Sequence, residues 1–268
     1  MNVTTLKRML LLALTVLLTA CRQREVVIVL PTETTLELAA TAAVLTREAP
    51  PPGFDVVRFP LIDANLTQLD SYRAQFSFAF NGTFARTPRL ASTETRGETT
   101  ANVLQRARRT VSTISTTLRP NVQPLQLDAV LLGDDPFLVR DGLCVQNREE
   151  ALLATNLIAG TVLGGVREAR ALPRRAIVNG EQVWEYSFTL DDLNLPNVSF
   201  GDNSRVVGLS GELWVSPARG VVVRYYLNLN VENVTLFDEP LPVTGALILR
   251  YDLFLHEDPP NISIPFGC

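Results

Sequence analysis

The chain has 268 residues, a formal charge of −4 and 46% hydrophobic residues. That length supports one large domain or two small ones, and the mildly acidic balance gives no reason to expect nucleic acid or bulk attraction to anionic headgroups. A single histidine leaves little for hydrolytic or metal chemistry.

The first element is a secretory signal over residues 1–20. Lys7 and Arg8 precede the apolar run 9–18, which is too short to span a bilayer. Leu18-Thr19-Ala20-Cys21 closes it with small residues before a cysteine. This resembles a bacterial lipobox. The resemblance implies cleavage before Cys21, a diacylglycerol thioether on Cys21, and a product exported to the bacterial cell envelope, extracytoplasmic and lipid-anchored to a membrane.

Residues 21–53 read as a membrane tether rich in Thr, Ala and Glu, ending in Ala49-Pro50-Pro51-Pro52-Gly53. Polyproline favours extended, semi-rigid chain. The apolar, β-prone run 26–30 also fits an edge strand docked on the domain. The folded domain is expected over 54–268. Leu61, Ile62, Leu66 and Leu69 fall at helical spacing after Pro60, so a short helix is expected over 60–70.

Strands dominate from there. In 72–84, Ala74, Phe76, Phe78 and Phe80 alternate with polar residues, the period of a half-buried strand, and Asn81-Gly82 signals a turn. Residues 99–118 read as one long strand of weak register. A hairpin is expected around Asp134-Asp135-Pro136, joining 125–133 to 137–144. Asn179-Gly180 opens another, whose second strand carries Trp184, Tyr186, Phe188 and Leu190 on one face. Residues 205–216 and 220–231 flank Pro217-Ala218-Arg219. In the second arm Val221, Val223, Tyr225, Leu227 and Leu229 share a face. The run 243–255 supplies a last strand.

One helix is expected between strands, capped by Asn147, with Glu150 three residues on, running to Gly164-Gly165. It is apolar on most faces, which asks for burial on the concave side of a curved sheet; packing flat on the sheet with no cavity fits the same pattern. The fold class is therefore mainly β (α+β): a large curved antiparallel meander forming an incomplete barrel, with a few helices covering or filling its concave side. With Cys21 lipidated, Cys144 and Cys268 remain as an even pair in an oxidising compartment and are expected to form a disulfide. Asn65, Asn81, Asn197, Asn233 and Asn261 begin glycosylation sequons, read here as polar turn residues because the signal is bacterial.

Several of these stretches together resemble the LolA/LppX/LprG-type lipoprotein family. Gly211-Glu212-Leu213-Trp214-Val215 with Gly220 and Arg224 is similar to the family's G-x-x-W-V-D-x-x-x-G-x-P-V-R hairpin, with Ser216 in place of Asp and Val222 in place of Pro. Val178-Asn179-Gly180 with Tyr186 resembles the strand-turn-strand before it, and Leu69-Asp70-Ser71-Tyr72-Arg73 the approach to the first long strand. The resemblance covers most of 54–268. It implies a half-barrel whose helix-covered concave face holds acyl chains, and a role in carrying or presenting lipids or lipoproteins. It brings no catalytic residues.

No Gly-x-Ser-x-Gly elbow, phosphate loop or zinc-ligand spacing occurs, and His256-Glu257-Asp258 reads as a solvated strand end. Asp134-Asp135 and Asp191-Asp192 read as turn residues, and Arg106, Arg108 and Arg109 as a solvated strand face. No enzyme activity, metal or cofactor is expected. The expected function is binding, carrying or sensing an apolar ligand, a lipid, in a concave cavity. Its lining is expected from Phe76, Phe78, Phe80, Leu153, Leu157, Trp184, Tyr186 and Phe188, for which plain core packing is the alternative. The rival is a scaffold or protein-interaction lipoprotein with a filled core.

Overall fold

A computed structural model describes residues 48–255 and 258–268. The signal, Cys21, the run 26–30, most of the tether and His256 lie outside the described residues. Within them the strands are β1 (Val56–Phe59), β2 (Ser71–Phe84), β3 (Leu90–Asn102), β4 (Ala107–Thr116), β5 (Leu125–Leu132), β6 (Asp135–Arg140), β7 (Leu143–Cys144), β8 (Gly165–Val178), β9 (Glu181–Ser187), β10 (Leu193–Asn194), β11 (Val198–Ser216), β12 (Val221–Leu236) and β13 (Val243–Leu255). Two helices, α1 (Arg148–Thr155) and α2 (Ala159–Leu163), lie between β7 and β8.

All thirteen strands form one antiparallel sheet, in the order β1-β8-β9-β11-β12-β13-β2-β3-β4-β5-β6-β7, with β10 on β8. The ends of that path, β1 and β7, do not pair, so the barrel is incomplete, as the meander pattern implies. Alternation builds its inner face. Phe76, Phe78 and Phe80 of β2 stand beside Tyr251, Leu249 and Leu247 of β13, and these beside Tyr225, Leu227 and Leu229 of β12. All nine are buried in one continuous cluster. Across β3 and β4 the same face turns to hydroxyls, with Thr93, Thr95, Thr99, Thr110 and Ser112 buried and Thr99 Oγ1 3.1 Å from Thr110 Oγ1.

Several expectations are corrected. Asn81-Gly82 is not a turn: Gly82 lies inside β2 opposite Gly245, and a Cβ there would stand 2.1 Å from the Thr244 carbonyl oxygen. That glycine serves close approach of two backbones. The single strand over 99–118 is two, β3 and β4, reversed at residues 103–106, where Arg106 takes φ +52° and Asn102 Oδ1 accepts from Gln105 N–H. The helix over 60–70 reduces to a 3-10 turn at Leu66–Gln68, because Asn65 is left-handed at φ +69°; Ile62, Leu66 and Leu69 are buried all the same. Val223 leaves the face of Tyr225 because a bulge opposite Trp214 and Val215 shifts the register, and it packs with Val183 and Trp214 instead.

The long helix is also corrected. Asn147 caps it as expected, its Oδ1 accepting from Glu149 and Glu150 N–H, but Glu150 pairs with Arg140 rather than closing a capping box. The helix breaks at 156–158 into α1 and α2. α1 packs Ala151 on Ala129 and Leu138 of β5 and β6. Leu153 is 73% exposed, so it lines no interior. α2 packs Val162 and Leu163 into the main core.

Residues 60–69, α2 and 194–197 are stitched into a cover over that core. Ile62 N–H donates to Gly164 O at 2.7 Å, Asn194 Nδ2 to Pro60 O at 2.6 Å, and Asn197 Nδ2 to Thr161 O and Val162 O at 2.9 and 2.8 Å. Gly160 N–H donates to Asp63 Oδ2 at 2.8 Å. Burial holds the Asp63 carboxyl above its ordinary range, the Gly160 hydrogen bond and Arg108 opposing. Folding therefore favours the protonated acid, and this group's contribution to stability is greatest below its unfolded pKa and is lost as pH rises through the folded value. Asp63→Asn keeps the acceptor for Gly160. It is expected to raise Tm at pH 7 relative to the parent and to lose that advantage at pH 4 in thermal melts. A lower Tm at pH 7 would contradict this.

Candidate functional site

The cysteine pair is joined as expected, Cys144 to Cys268, with Cα atoms 5.1 Å apart. Of the eight sequence-chosen lining residues, Phe76, Phe78, Phe80, Trp184 and Tyr186 are buried in the main core, and Leu157 and Phe188 are half-buried against it. The structure brings these seven together and leaves Leu153 outside. Trp184 Nε1 donates to Glu48 O at 3.1 Å and Tyr186 Oη to Phe54 O at 2.7 Å, so the chain around 48–54 lies against β9. Burial, with Asp55 nearby, pushes the Tyr186 phenol well up.

The core reaches the surface beside β11. β9 pairs with β11 only at Tyr186, Glu185 and Trp184, opposite residues 213–215. Beyond that the chain leaves β9, makes a 3-10 turn at Leu190–Asp192 and returns to β8 as β10. Residues 199–212 of β11 therefore have β12 as their strand partner on one side and, among the described residues, none on the other. A split in the sheet results. Asp192 fixes its far wall, since its carboxylate accepts from Thr189 Oγ1 and N–H and is held below its ordinary range by them.

Phe188 lies across this split. Its ring covers Gly211, where a Cβ would stand 2.7 Å from Phe188 Cζ, and its centroid is 6.1 Å from that of Tyr225 behind it. Phe188, Leu195 and Val206 are half-buried against the core. Leu195 shares a pocket with Leu190 and Phe200 (46% exposed), and Val207 and Leu209 (39% exposed) are exposed on β11. That pocket, of about 540 Å³, has a wall that mixes polar Arg167, Asp191 and Asn194 with apolar Leu190, Leu193, Leu195, Val198 and Phe200. The apolar side of this pocket can bind an apolar chain by area burial, about 0.8 kcal/mol per methylene, beside the polar groups of Arg167, Asp191 and Asn194. Register shifts between Phe200 and Arg205 and between Val206 and Gly208 bend the free strand, a device that blunts edges against pairing with other chains.

A larger groove, about 600 Å³, crosses the outer face of β13, β2, β3 and β4. Its charged groups already hold one another: Arg96 pairs with Glu94, Gln75 donates to Glu98, and Asp252 accepts from Arg224 and Tyr226. Leu190 and Phe188 were visible in the sequence as members of a stripe. Phe200, Val206 and Leu209 were not, because they sit in a strand rich in Gly, Ser and Asn.

No family model and no curated protein matches the sequence. Among solved structures the chain is similar to the crystal structure of LprF from Mycobacterium bovis. Identity is 13%, the match covers 76% of this chain and 93% of that one, and the TM-score is 0.27. The assignment of an incomplete barrel rests on the strand pairing itself.

Among the described residues no three His, Cys, Asp or Glu side chains converge on a metal position. The Asp134 and Asp135 carboxylates are engaged by Arg106 and Arg148, and Arg109 is held by both oxygens of Asp128.

Proposed function

We propose that this chain is an exported lipoprotein, tethered to a membrane through diacylglycerol on Cys21, that takes up an apolar ligand, a lipid, through the split beside β11. The observation that carries the reading is that Phe188, Leu195 and Val206 pack against the buried core while Leu195 shares a surface pocket with exposed Leu190 and Phe200. The lipobox pattern supports the tether. The thin inventory of catalytic residues supports a binding protein without chemistry of its own, and the acidic balance supports no role for nucleic acid.

A specific observation favours the second reading, a scaffold with a filled core. Phe76, Phe78, Phe80, Trp184 and Tyr186 are all buried in one continuous core cluster. Native mass spectrometry separates the two. Protein purified from an oxidising compartment is expected to carry lipid near one-to-one, released by solvent extraction. A clean apo mass, unchanged after incubation with a lipid extract, would contradict the carrier and leave the scaffold.

A further inference from the structure

Two tyrosine hydroxyls inside the half-barrel have no partner. Tyr225 of β12 and Tyr251 of β13 stand opposite each other on the inner face, flanked in the same row by Leu213, with Tyr186 beyond it, and by Phe76. Both side chains are fully buried, and neither hydroxyl has a hydrogen-bond partner among the described residues. The third tyrosine of the row, Tyr186, is satisfied by Phe54 O. A buried, unpaired hydroxyl is costly, so an orphan pair in adjacent strands asks for a third group between them. Tyr225 lies directly behind Phe188, the ring that covers the split.

The burial of the pair decides what that group is. Burial is the first cause holding the proton on Tyr251 and the one cause holding it on Tyr225, while the nearby Asp252 carboxylate is turned to the outer face and paired with Arg224. Arg108 acts on Asp63 and Tyr72; its Nη2 donates to Thr155 O at 2.6 Å, and its buried Nε has no partner among the described residues. A carboxylate or phosphate at the pair would lose its hydration in a fully buried row walled by Leu213 and Phe76. An uncharged hydroxyl or ester oxygen meets no such penalty and can satisfy both phenols.

The geometry points to a polar subsite at Tyr225 and Tyr251 that takes the uncharged, hydrogen-bonding head of an amphiphile whose chain runs out past Phe188. The inference rests on the carrier reading and adds the ligand's head group to it.

The test uses the full mature chain, with Cys21→Ser so that no detergent is needed, and displacement of the apolar dye N-phenyl-1-naphthylamine by hexadecane, 1-hexadecanol and palmitate at pH 8. Hexadecanol is expected to act at about tenfold lower concentration than either of the others, the equivalent of one or two net hydrogen bonds. The double variant Tyr225→Phe, Tyr251→Phe is expected to keep hexadecane binding and to lose the preference for the alcohol. Without ligand its Tm is expected to match or exceed the parent's, because the lost hydroxyls had no partner. Equal action of hexadecane and hexadecanol, a preference for palmitate, or a lower Tm in the double variant would overturn the subsite while leaving the carrier reading intact. Failure of all three probes would overturn both.

Discussion

Cys144→Ser is expected to destabilise the folded domain by about 4–5 kcal/mol, the chain-entropy value for a loop of this length. The disulfide closes a loop of 124 residues in sequence separation and ties the last residue of the chain to β7. The tail after β13 departs from the middle of the sheet, whereas β7 is the last strand on one side, so the bond spans β2 to β6. Reduction alone should reproduce the effect. Equilibrium urea unfolding of oxidised and reduced protein measures it, and a difference under 1 kcal/mol would show that the tail peels away without cost to the sheet.

Phe78→Ala is expected to cost about 3–5 kcal/mol, the range for emptying a fully buried aromatic site. Phe78 is 1% exposed, stands between Leu249 and Thr95 on neighbouring strands, and packs its ring 4.7 Å from that of Phe237. These neighbours are held by strand pairing on both sides and cannot collapse into the space. Guanidinium unfolding of the variant gives the value. A cost below 1 kcal/mol would mean that the interior is loosely filled around β2.

The strands best read from sequence are those whose buried face is apolar throughout. β13 occupies 243–255 as expected, and β2 extends the expected strand by a single residue, since Phe76, Phe78, Leu247 and Leu249 repeat at a period of two. β3 and β4 escaped that logic because their buried face is Thr93, Thr95, Thr99, Thr110 and Ser112, whose residue types give no apolar alternation. Gly82 misled for a related reason. A glycine beside asparagine reads as a turn, but here its missing side chain lets β2 and β13 approach at the Gly82–Gly245 pair. Helix 148–163 was legible in its cap and its terminal Gly164, not in its break. Asn65, which begins one of the five sequons, proves structural, its Nδ2 donating to Gly220 O. Asn197 likewise holds the cover through Thr161 and Val162.

The candidate site was legible only in part. The sequence marked Phe188 as one of an aromatic stripe, yet its role depends on β9 ending at Ser187, one residue earlier. Where β9 stops pairing with β11 is a tertiary fact, set by how the 190–194 turn returns to β8. The exposed apolar residues of β11 lie among glycines and bulges that carry no simple period.

The carrier account is tested most directly by mapping where a ligand's chain lies. A fatty alcohol bearing a diazirine in its alkyl chain, photolysed with the mature protein and followed by peptide mass spectrometry, is expected to label Phe188, Leu195, Phe200 or Leu209. Labelling confined to the outer face of β13, β2, β3 and β4, or none above an unfolded control, would contradict uptake through the split.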